Sequence, residues 1–159
     1  MSGTRKLSVG LLLYRLRAGQ LEFLLVHPGG PFWKNKDAGA WSIPKGELED
    51  NEDPLAGARR EFAEEIGFAP QGQFIELAPV KQKAGKVIRA WAVEGDCDPG
   101  QIHSNTFSLE WPPRSGQRVE FPEVDQAAFF TLEEAKTKIN LAQLPLLQET
   151  ARHAAGRGD

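Results

Sequence analysis

The chain has 159 residues, 40% of them hydrophobic and 26% charged, which fits one compact domain spanning residues 1–159 with its own hydrophobic core. Its formal net charge of −3 at pH 7 argues against a protein that coats nucleic acid with its whole surface, and no strong sign of nucleic-acid binding is present. Cys97 is the only cysteine, so an intrachain disulfide is excluded and a reducing, cytoplasmic location is expected.

Two short apolar runs near the start of the chain predict a β-hairpin. The first covers about Leu7 to Tyr14, and the second, residues 21–27, follows a glycine-containing turn. The first run is too short for the roughly 20 apolar residues of a membrane span, and no small-residue cleavage site follows it. We therefore expect neither a signal peptide nor contact with a membrane.

Residues 27–46 form a long segment rich in glycine and proline, with two tryptophans and several lysines. Loops of this length in compact domains are usually functional or disordered. The aromatic residues favour a functional loop.

A helix is predicted to follow this loop. Asp53 is suited to cap its N-terminus, Pro54 to occupy its first turn, and Gly67 to end it. Apolar residues fall on one stripe of this helix at steps of about 100°. They are Leu55, Ala58, Phe62 and Ile66.

The rest of the chain alternates between strand-like and helical patterns, which indicates one mixed α/β domain. The predicted strands are residues 74–82, 86–95 and 127–132, with one edge strand at Thr106–Glu110 inside an otherwise irregular segment at residues 97–125. The predicted helices are residues 133–139 and 141–155, the second with Pro145 near its beginning, and residues 155–159 are expected to be frayed.

The first predicted helix places Glu61, Glu64 and Glu65 in its final turns, just before Gly67. A helix C-terminus carries partial negative charge, and like charges three or four residues apart repel each other, so both effects disfavour this arrangement. A solvated acidic face would not need carboxylates in this position. The three side chains are expected to converge beside the buried stripe for a functional reason.

The segment Gly46–Phe68 resembles the Nudix box, G-x5-E-x7-R-E-U-x-E-E-x-G-U, in which U is a bulky apolar residue. Every fixed position of the box is present: Gly46, Glu52, Arg60, Glu61, Phe62, Glu64, Glu65, Gly67 and Phe68. The lead-in "PKG" departs from the commoner "PGG" of the family. The resemblance implies a Nudix-type α/β/α sandwich with a mixed β-sheet.

The resemblance also implies hydrolysis of a diphosphate linkage in a nucleotide-type substrate, with Mg²⁺ as cofactor and Mn²⁺ as a substitute. Such cations prefer oxygen ligands, which closely spaced glutamates supply. By resemblance, Glu61 and Glu65 ligate the metal, Glu64 ligates it or positions the attacking water, and the Lys45 carbonyl is a further ligand. In family members the metal neutralises diphosphate oxygens and activates that water.

Other residues of the motif are expected to support these carboxylates. Arg60 lies four residues before Glu64, within helical pairing reach, and is predicted to orient a carboxylate. Glu52, Gly46 and Gly67 support the cluster by resemblance. An acidic residue outside the motif often acts as base or ligand in the family, and Glu123 is the candidate for that role here, with Glu120 as the alternative.

Substrate contacts are predicted from the long loop. Lys34, Lys36 and Lys45 could hold phosphates as point charges, and Trp33 could stack on a base. The "PKG" sequence and these lysines favour a dinucleoside polyphosphate or a diphosphoinositol polyphosphate.

One observation keeps alternatives open. The only tyrosine is Tyr14, so a downstream adenine-stacking tyrosine is lacking. The alternatives are therefore a pyrophosphohydrolase for (oxidised) nucleoside triphosphates and a non-catalytic nucleotide-binding module. The sequence does not specify an oligomeric state.

Overall fold

The computed structural model describes residues 7–157, which form nine β-strands and three α-helices. The strands are β1 Leu7–Arg17, β2 Gln20–Pro28, β3 Lys45–Glu47, β4 Ile75–Glu76, β5 Val80–Lys81, β6 Val87–Glu94, β7 Thr106–Glu110, β8 Arg118–Pro122 and β9 Val124–Thr131. The helices are α1 Pro54–Ile66, α2 Leu132–Lys138 and α3 Leu144–Arg157. None of the helices in this part of the chain combines the length and apolar character needed to cross a membrane.

Strand β1 lies at the centre of a seven-stranded mixed sheet whose main order is β4-β6-β1-β2-β9. It pairs in parallel with β6 on one side, while the antiparallel β2 pairs with its C-terminal end on the other. Next to β2 on that side, β3 pairs with residues 8–10 of β1. This pairing brings Lys45 and Gly46 to the middle of the sheet.

Helices cover both faces of the sheet, so the predicted α/β/α sandwich is confirmed. Alternate residues of β1 enter two separate cores because successive side chains of a strand point to opposite faces. Leu11 and Leu13 pack with Phe62 and Ile66 of α1, whereas Leu12 packs in the core on the other face. That second core contains Ala135 of α2 and Leu146 and Leu147 of α3.

Helix α1 begins and ends as the sequence predicts. The Asp53 side chain accepts a hydrogen bond from the Ala56 N–H at 3.0 Å, which caps the N-terminus. Gly67 adopts a left-handed conformation with φ of 79°, and its N–H donates to the Ala63 carbonyl at 2.8 Å. The predicted apolar stripe is buried at Ala58, Phe62 and Ile66.

Several predicted boundaries were wrong. The predicted strand at 74–82 is two short strands, β4 and β5, which pair with different parts of β6. The predicted irregular segment at 97–125 contains a second strand, β8, which pairs with β7 in a separate two-stranded sheet. The three-residue β3 was not predicted. Residues 155–157 continue α3, and the last two residues of the predicted frayed tail lie outside the described residues.

The glycine that ends α1 should matter for more than its backbone conformation. An alanine at Gly67 would place a Cβ 2.8 Å from the Cβ of His103, whereas an alanine at Gly19, with a similar φ of 77°, would meet nothing within 4 Å. We expect Gly19→Ala to cost about 1–2 kcal/mol from left-handed strain alone. Gly67→Ala should cost more, measured by urea unfolding, and equal losses would contradict the packing role.

Candidate active site

The glutamate-rich end of α1 lies against strand β3, and Gly46 allows this close approach. A Cβ on Gly46 would lie only 2.0 Å from Oε1 of Glu61. Any other residue at this position would therefore displace the Glu61 carboxylate from the strand. The lack of a side chain at Gly46 therefore makes the space that the Glu61 carboxylate occupies.

Arg60 is the hub of an ion-pair network within the motif. Its Nε and one terminal nitrogen hold both oxygens of Glu52, at 2.7 and 3.0 Å, as a bidentate pair. The other terminal nitrogen lies 2.9 Å from Glu61 and 3.1 Å from Glu64. Glu52, hydrogen-bonded by Arg60, has its pKa lowered to about 2. Arg60 thus contacts the carboxylates that it was predicted to orient.

Of the three glutamates in the last turns of α1, two are buried and one is not. Glu61 and Glu65 are 9% and 7% exposed, while Glu64 lies in a partly exposed position. Burial, followed by the charges of Glu61 and Glu123, raises the pKa of Glu65 to about 8. Burial also raises the pKa of Glu61, although hydrogen bonding from Arg60 opposes the shift. Ionising these carboxyl groups is therefore unfavourable with the positive charge that their neighbours supply.

Residues 103–105 join the C-terminus of α1 to Glu123. The N–H groups of His103 and Asn105 donate to the carbonyls of Ile66 and Glu64 at 2.9 and 2.8 Å, which satisfies acceptors that a helix end leaves free. The Asn105 carbonyl then accepts from the Glu123 N–H at 2.9 Å. Burial, followed by the charge of Glu64, raises the pKa of Glu123.

The structure brings Glu123 to the acidic cluster and leaves Glu120 apart from it. Glu120 is exposed on β8 and accepts a hydrogen bond from the Thr106 hydroxyl at 2.9 Å. Its partner is therefore the neighbouring strand of the two-stranded sheet. The acidic side chain outside the motif that could act with α1 is that of Glu123.

A cleft of about 260 Å³ opens beside these carboxylates. Glu65, Glu123, Lys45 and Trp33 all contribute to its wall. Burial lowers the pKa of Lys45, while the charge of Glu65 opposes that shift. The cleft therefore combines carboxylates, one cation and one partly exposed indole.

Lys34 and Lys36 do not join Lys45. They line a separate depression together with His27 and Asp125. The Lys36 ammonium also lies 5.3 Å from the centre of the Trp33 ring. The predicted role of these two lysines in substrate binding stays a prediction.

The family model for the NUDIX domain matches residues 4–150. The chain belongs to this family. A comparison with curated proteins gave no significant match. Enzymes of the Nudix family hydrolyse pyrophosphate bonds and generally use divalent metal ions.

Solved structures of Nudix proteins share the fold of this domain. An Ap4A hydrolase from C. elegans, in a binary complex, is 24% identical, with a TM-score of 0.66 over 94% of this chain and 98% of that one. The NUDIX domain of Shewanella oneidensis NrtR, complexed with ADP ribose, is 17% identical, with a TM-score of 0.65 and coverage of 97% and 90%. MutT from Aliivibrio salmonicida and Vibrio cholerae is also 17% identical, with a TM-score of 0.55 and coverage of 91% and 94%.

The donor chemistry of this Nudix site suits a hard divalent cation. The carboxyl groups of α1 and of Glu123 lie together, and burial raises the pKa values of Glu61, Glu65 and Glu123. A bound cation would lower these pKa values again, because it stabilises the ionised carboxylates. Among the described residues, no three acidic, histidine or cysteine side chains are arranged to hold an ion as they stand. Arg60 contacts one carboxylate oxygen of Glu61 and one of Glu64, which leaves the second oxygen of each outside this contact.

Sequence reasoning missed several polar residues of the Nudix cleft. Gln143 is buried, accepts from the Ile43 N–H at 3.0 Å and donates to the Ser42 hydroxyl at 3.1 Å, so its amide is fixed. Gln82 and Asn140 also line the cleft. They come from separate segments, and no local spacing links them.

The buried carboxylates should make stability fall with rising pH when metal is removed by EDTA. The folded-state pKa of Glu65, about 8, exceeds its ordinary value of 4.5. Between these values the folded state binds more protons than the unfolded state, so the free energy of unfolding decreases as pH rises. Glu65→Gln should reduce this decrease by up to a few kcal/mol.

The measurement is urea unfolding of both proteins at intervals between pH 5 and 8. Exposed Glu133→Gln on α2 is the control and should follow the wild type. Parallel curves for Glu65→Gln and wild type would contradict the assignment.

Proposed function

We propose that this Nudix domain hydrolyses a diphosphate linkage in a nucleotide-type substrate, with Mg²⁺ as cofactor and a dinucleoside polyphosphate as the preferred substrate. The observation that carries the proposal is the close grouping of Glu61, Glu64, Glu65 and Glu123, of which Glu65 and Glu123 line the cleft. The cleft also has Lys45 in its wall. A cytoplasmic location, where nucleotides and Mg²⁺ are abundant, is part of the proposal.

A strongly anionic site requires a cation before it can accept an anionic diphosphate. Glu61 and Glu65, with the Lys45 carbonyl, would hold Mg²⁺, with Glu64 or Glu123 completing the set. When bound, the ion neutralises phosphate oxygens and lowers the pKa of a water molecule. Mn²⁺ has similar ligand preferences and should substitute.

The protein residues then position the reactants and accept a proton. Glu123 is suited to the role of base because burial raises its pKa towards neutrality, and Glu64 is the alternative. The water oxygen bonds to phosphorus as the bond to the leaving phosphate oxygen breaks, and the water proton passes to the carboxylate. Arg60 keeps the glutamates in place through its contacts with Glu52, Glu61 and Glu64.

The choice of a dinucleoside polyphosphate has two supports. Trp33 is 40% exposed at the cleft and can stack on a base. The structure of the C. elegans Ap4A hydrolase matches the whole domain with a TM-score of 0.66. A nucleoside triphosphate is the second candidate, because the only tyrosine, Tyr14, lies before the motif and no downstream tyrosine can stack on an adenine. The retention of every motif carboxylate disfavours a non-catalytic module.

The proposal is tested with a substrate panel. Diadenosine tetraphosphate, ADP-ribose, diphosphoinositol polyphosphates and ordinary and oxidised nucleoside triphosphates are incubated with the protein and Mg²⁺, and the products are separated by chromatography. We expect turnover that EDTA abolishes, with the highest kcat/KM for diadenosine tetraphosphate. Tight binding without turnover of any member would contradict an enzyme.

Glu61→Gln and Glu65→Gln should each lower kcat/KM by at least about 100-fold at saturating Mg²⁺, because each removes a charged metal ligand. Both variants should remain folded. They should also lose the rise in melting temperature that Mg²⁺ gives the wild type. Glu133→Gln is the control and should retain both properties, and full activity in either motif variant would remove that residue from the mechanism.

The same substitution, glutamate to glutamine, distinguishes which of Glu123 and Glu120 acts as the base. Glu123→Gln should lower kcat by about 10²- to 10⁴-fold, the range expected for loss of a general base. Glu120→Gln, which changes an exposed residue of β8, should leave kcat within about twofold of wild type. A pH–rate profile for each variant is the measurement, and the reverse order would assign the role to Glu120.

A further inference from the structure

The two-stranded sheet of β7 and β8 is packed against residues 29–32 of the long loop. The Gly29 N–H donates to the Glu123 carbonyl at 2.9 Å, and a Cβ on Gly29 would lie 2.0 Å from the Pro122 carbonyl oxygen. A Cβ on Gly30 would lie 2.9 Å from the ring of Phe107. Because these contacts leave no room for side chains, the loop and the β7–β8 hairpin form one unit beside the cleft.

This unit presents aromatic rings to solvent. The rings of Phe32 and Trp111 meet edge to face with centroids 5.5 Å apart, and Phe32 remains 61% exposed. The next residue, Trp33, is 40% exposed and lines the cleft. Two consecutive residues thus carry an aromatic surface from the cleft onto the hairpin.

The cleft itself is small for a substrate with two nucleosides. Its volume of about 260 Å³ lies just below the range of about 300–1,000 Å³ that is usual for pockets holding one drug-sized ligand. A dinucleoside polyphosphate with one base at Trp33 must therefore extend beyond the cleft. The Phe32–Trp111 pair is the neighbouring aromatic surface, and every base offers a ring face for stacking.

We propose that the Phe32–Trp111 pair binds the second nucleobase of a dinucleoside polyphosphate and thereby selects this substrate over mononucleotides. The inference rests on the proposed function and assigns a specificity role to a hairpin that contributes no motif residue. A protein partner fits the pair less well. Two aromatic side chains offer at most about 500 Å², whereas a stable interface buries about 800 Å² on each partner.

The test compares kcat/KM for diadenosine tetraphosphate and ATP in Phe32→Ala, Trp111→Ala and Trp111→Phe. Loss of one stacking ring should lower kcat/KM for diadenosine tetraphosphate by about 5- to 150-fold. The value for ATP should stay within about twofold of wild type. Trp111→Phe keeps a ring and should recover most of the loss. Leu16→Ala is the control, because Leu16 is about as exposed as Phe32. Leu16 lies on β1, six residues beyond Gly10, which is the residue that pairs with Lys45 of the cleft.

A second measurement does not depend on turnover. Titration with a methylene-bridged, non-hydrolysable diadenosine tetraphosphate should quench the fluorescence of wild-type tryptophans, and Phe32→Ala should weaken the binding by a similar factor. Equal losses for both nucleotides, no loss for the dinucleoside, or no recovery in Trp111→Phe would overturn the assignment. Failure of the proposed function is distinct, since wild-type protein would then hydrolyse neither substrate or would prefer ATP.

Discussion

The carboxylates of Glu61 and Glu65 are buried between helix α1 and strand β3, and the surrounding structure depends on how their charge is accommodated. Burying charge is unfavourable unless a partner compensates it. Arg60 supplies part of that compensation to Glu61, and the nearby Lys45 supplies part to Glu65. The pKa of Glu65 nevertheless rises to about 8, so the compensation is incomplete. A bound cation would complete it.

The C-terminus of α1 shows how fold and site share the same contacts. Carboxylates near a helix C-terminus repel its partial negative charge. Residues 103–105 offset part of this effect by donating two N–H groups to the terminal carbonyls, and the same segment holds Glu123 at the site. Loss of this segment would therefore disturb both the end of the helix and the acidic residue outside the motif.

Sequence alone predicted the features that local chemistry determines. Both ends of α1 follow from Asp53 and Gly67, whose conformations depend on neighbouring residues. Strand β3 was missed because three residues carry no periodic signal and its partner, β1, lies about 35 residues earlier in the chain. The choice between Glu123 and Glu120 was left open for a similar reason, since the hydrogen bond from the Glu123 N–H to Asn105 is a tertiary contact.

The substrate side of the cleft was the least predictable. Lys34 and Lys36 lie close to Trp33 in sequence, yet they line a different depression. Gln82, Asn140 and Gln143 reach the cleft from distant segments that only the assembled sheet and helices bring together. In the proposed function, most of the metal-binding carboxylates thus come from one continuous motif, whereas selection of the substrate would depend on several loops.

We propose that the acidic cluster binds a divalent cation and that its carboxyl groups lose protons when the cation binds. The most direct measurement is calorimetric titration with Mg²⁺ at pH 7 in two buffers with different ionisation enthalpies. We expect binding heats that differ between the buffers, because groups with raised pKa values release protons when metal binds. Absence of binding, or identical heats in both buffers, would contradict the account.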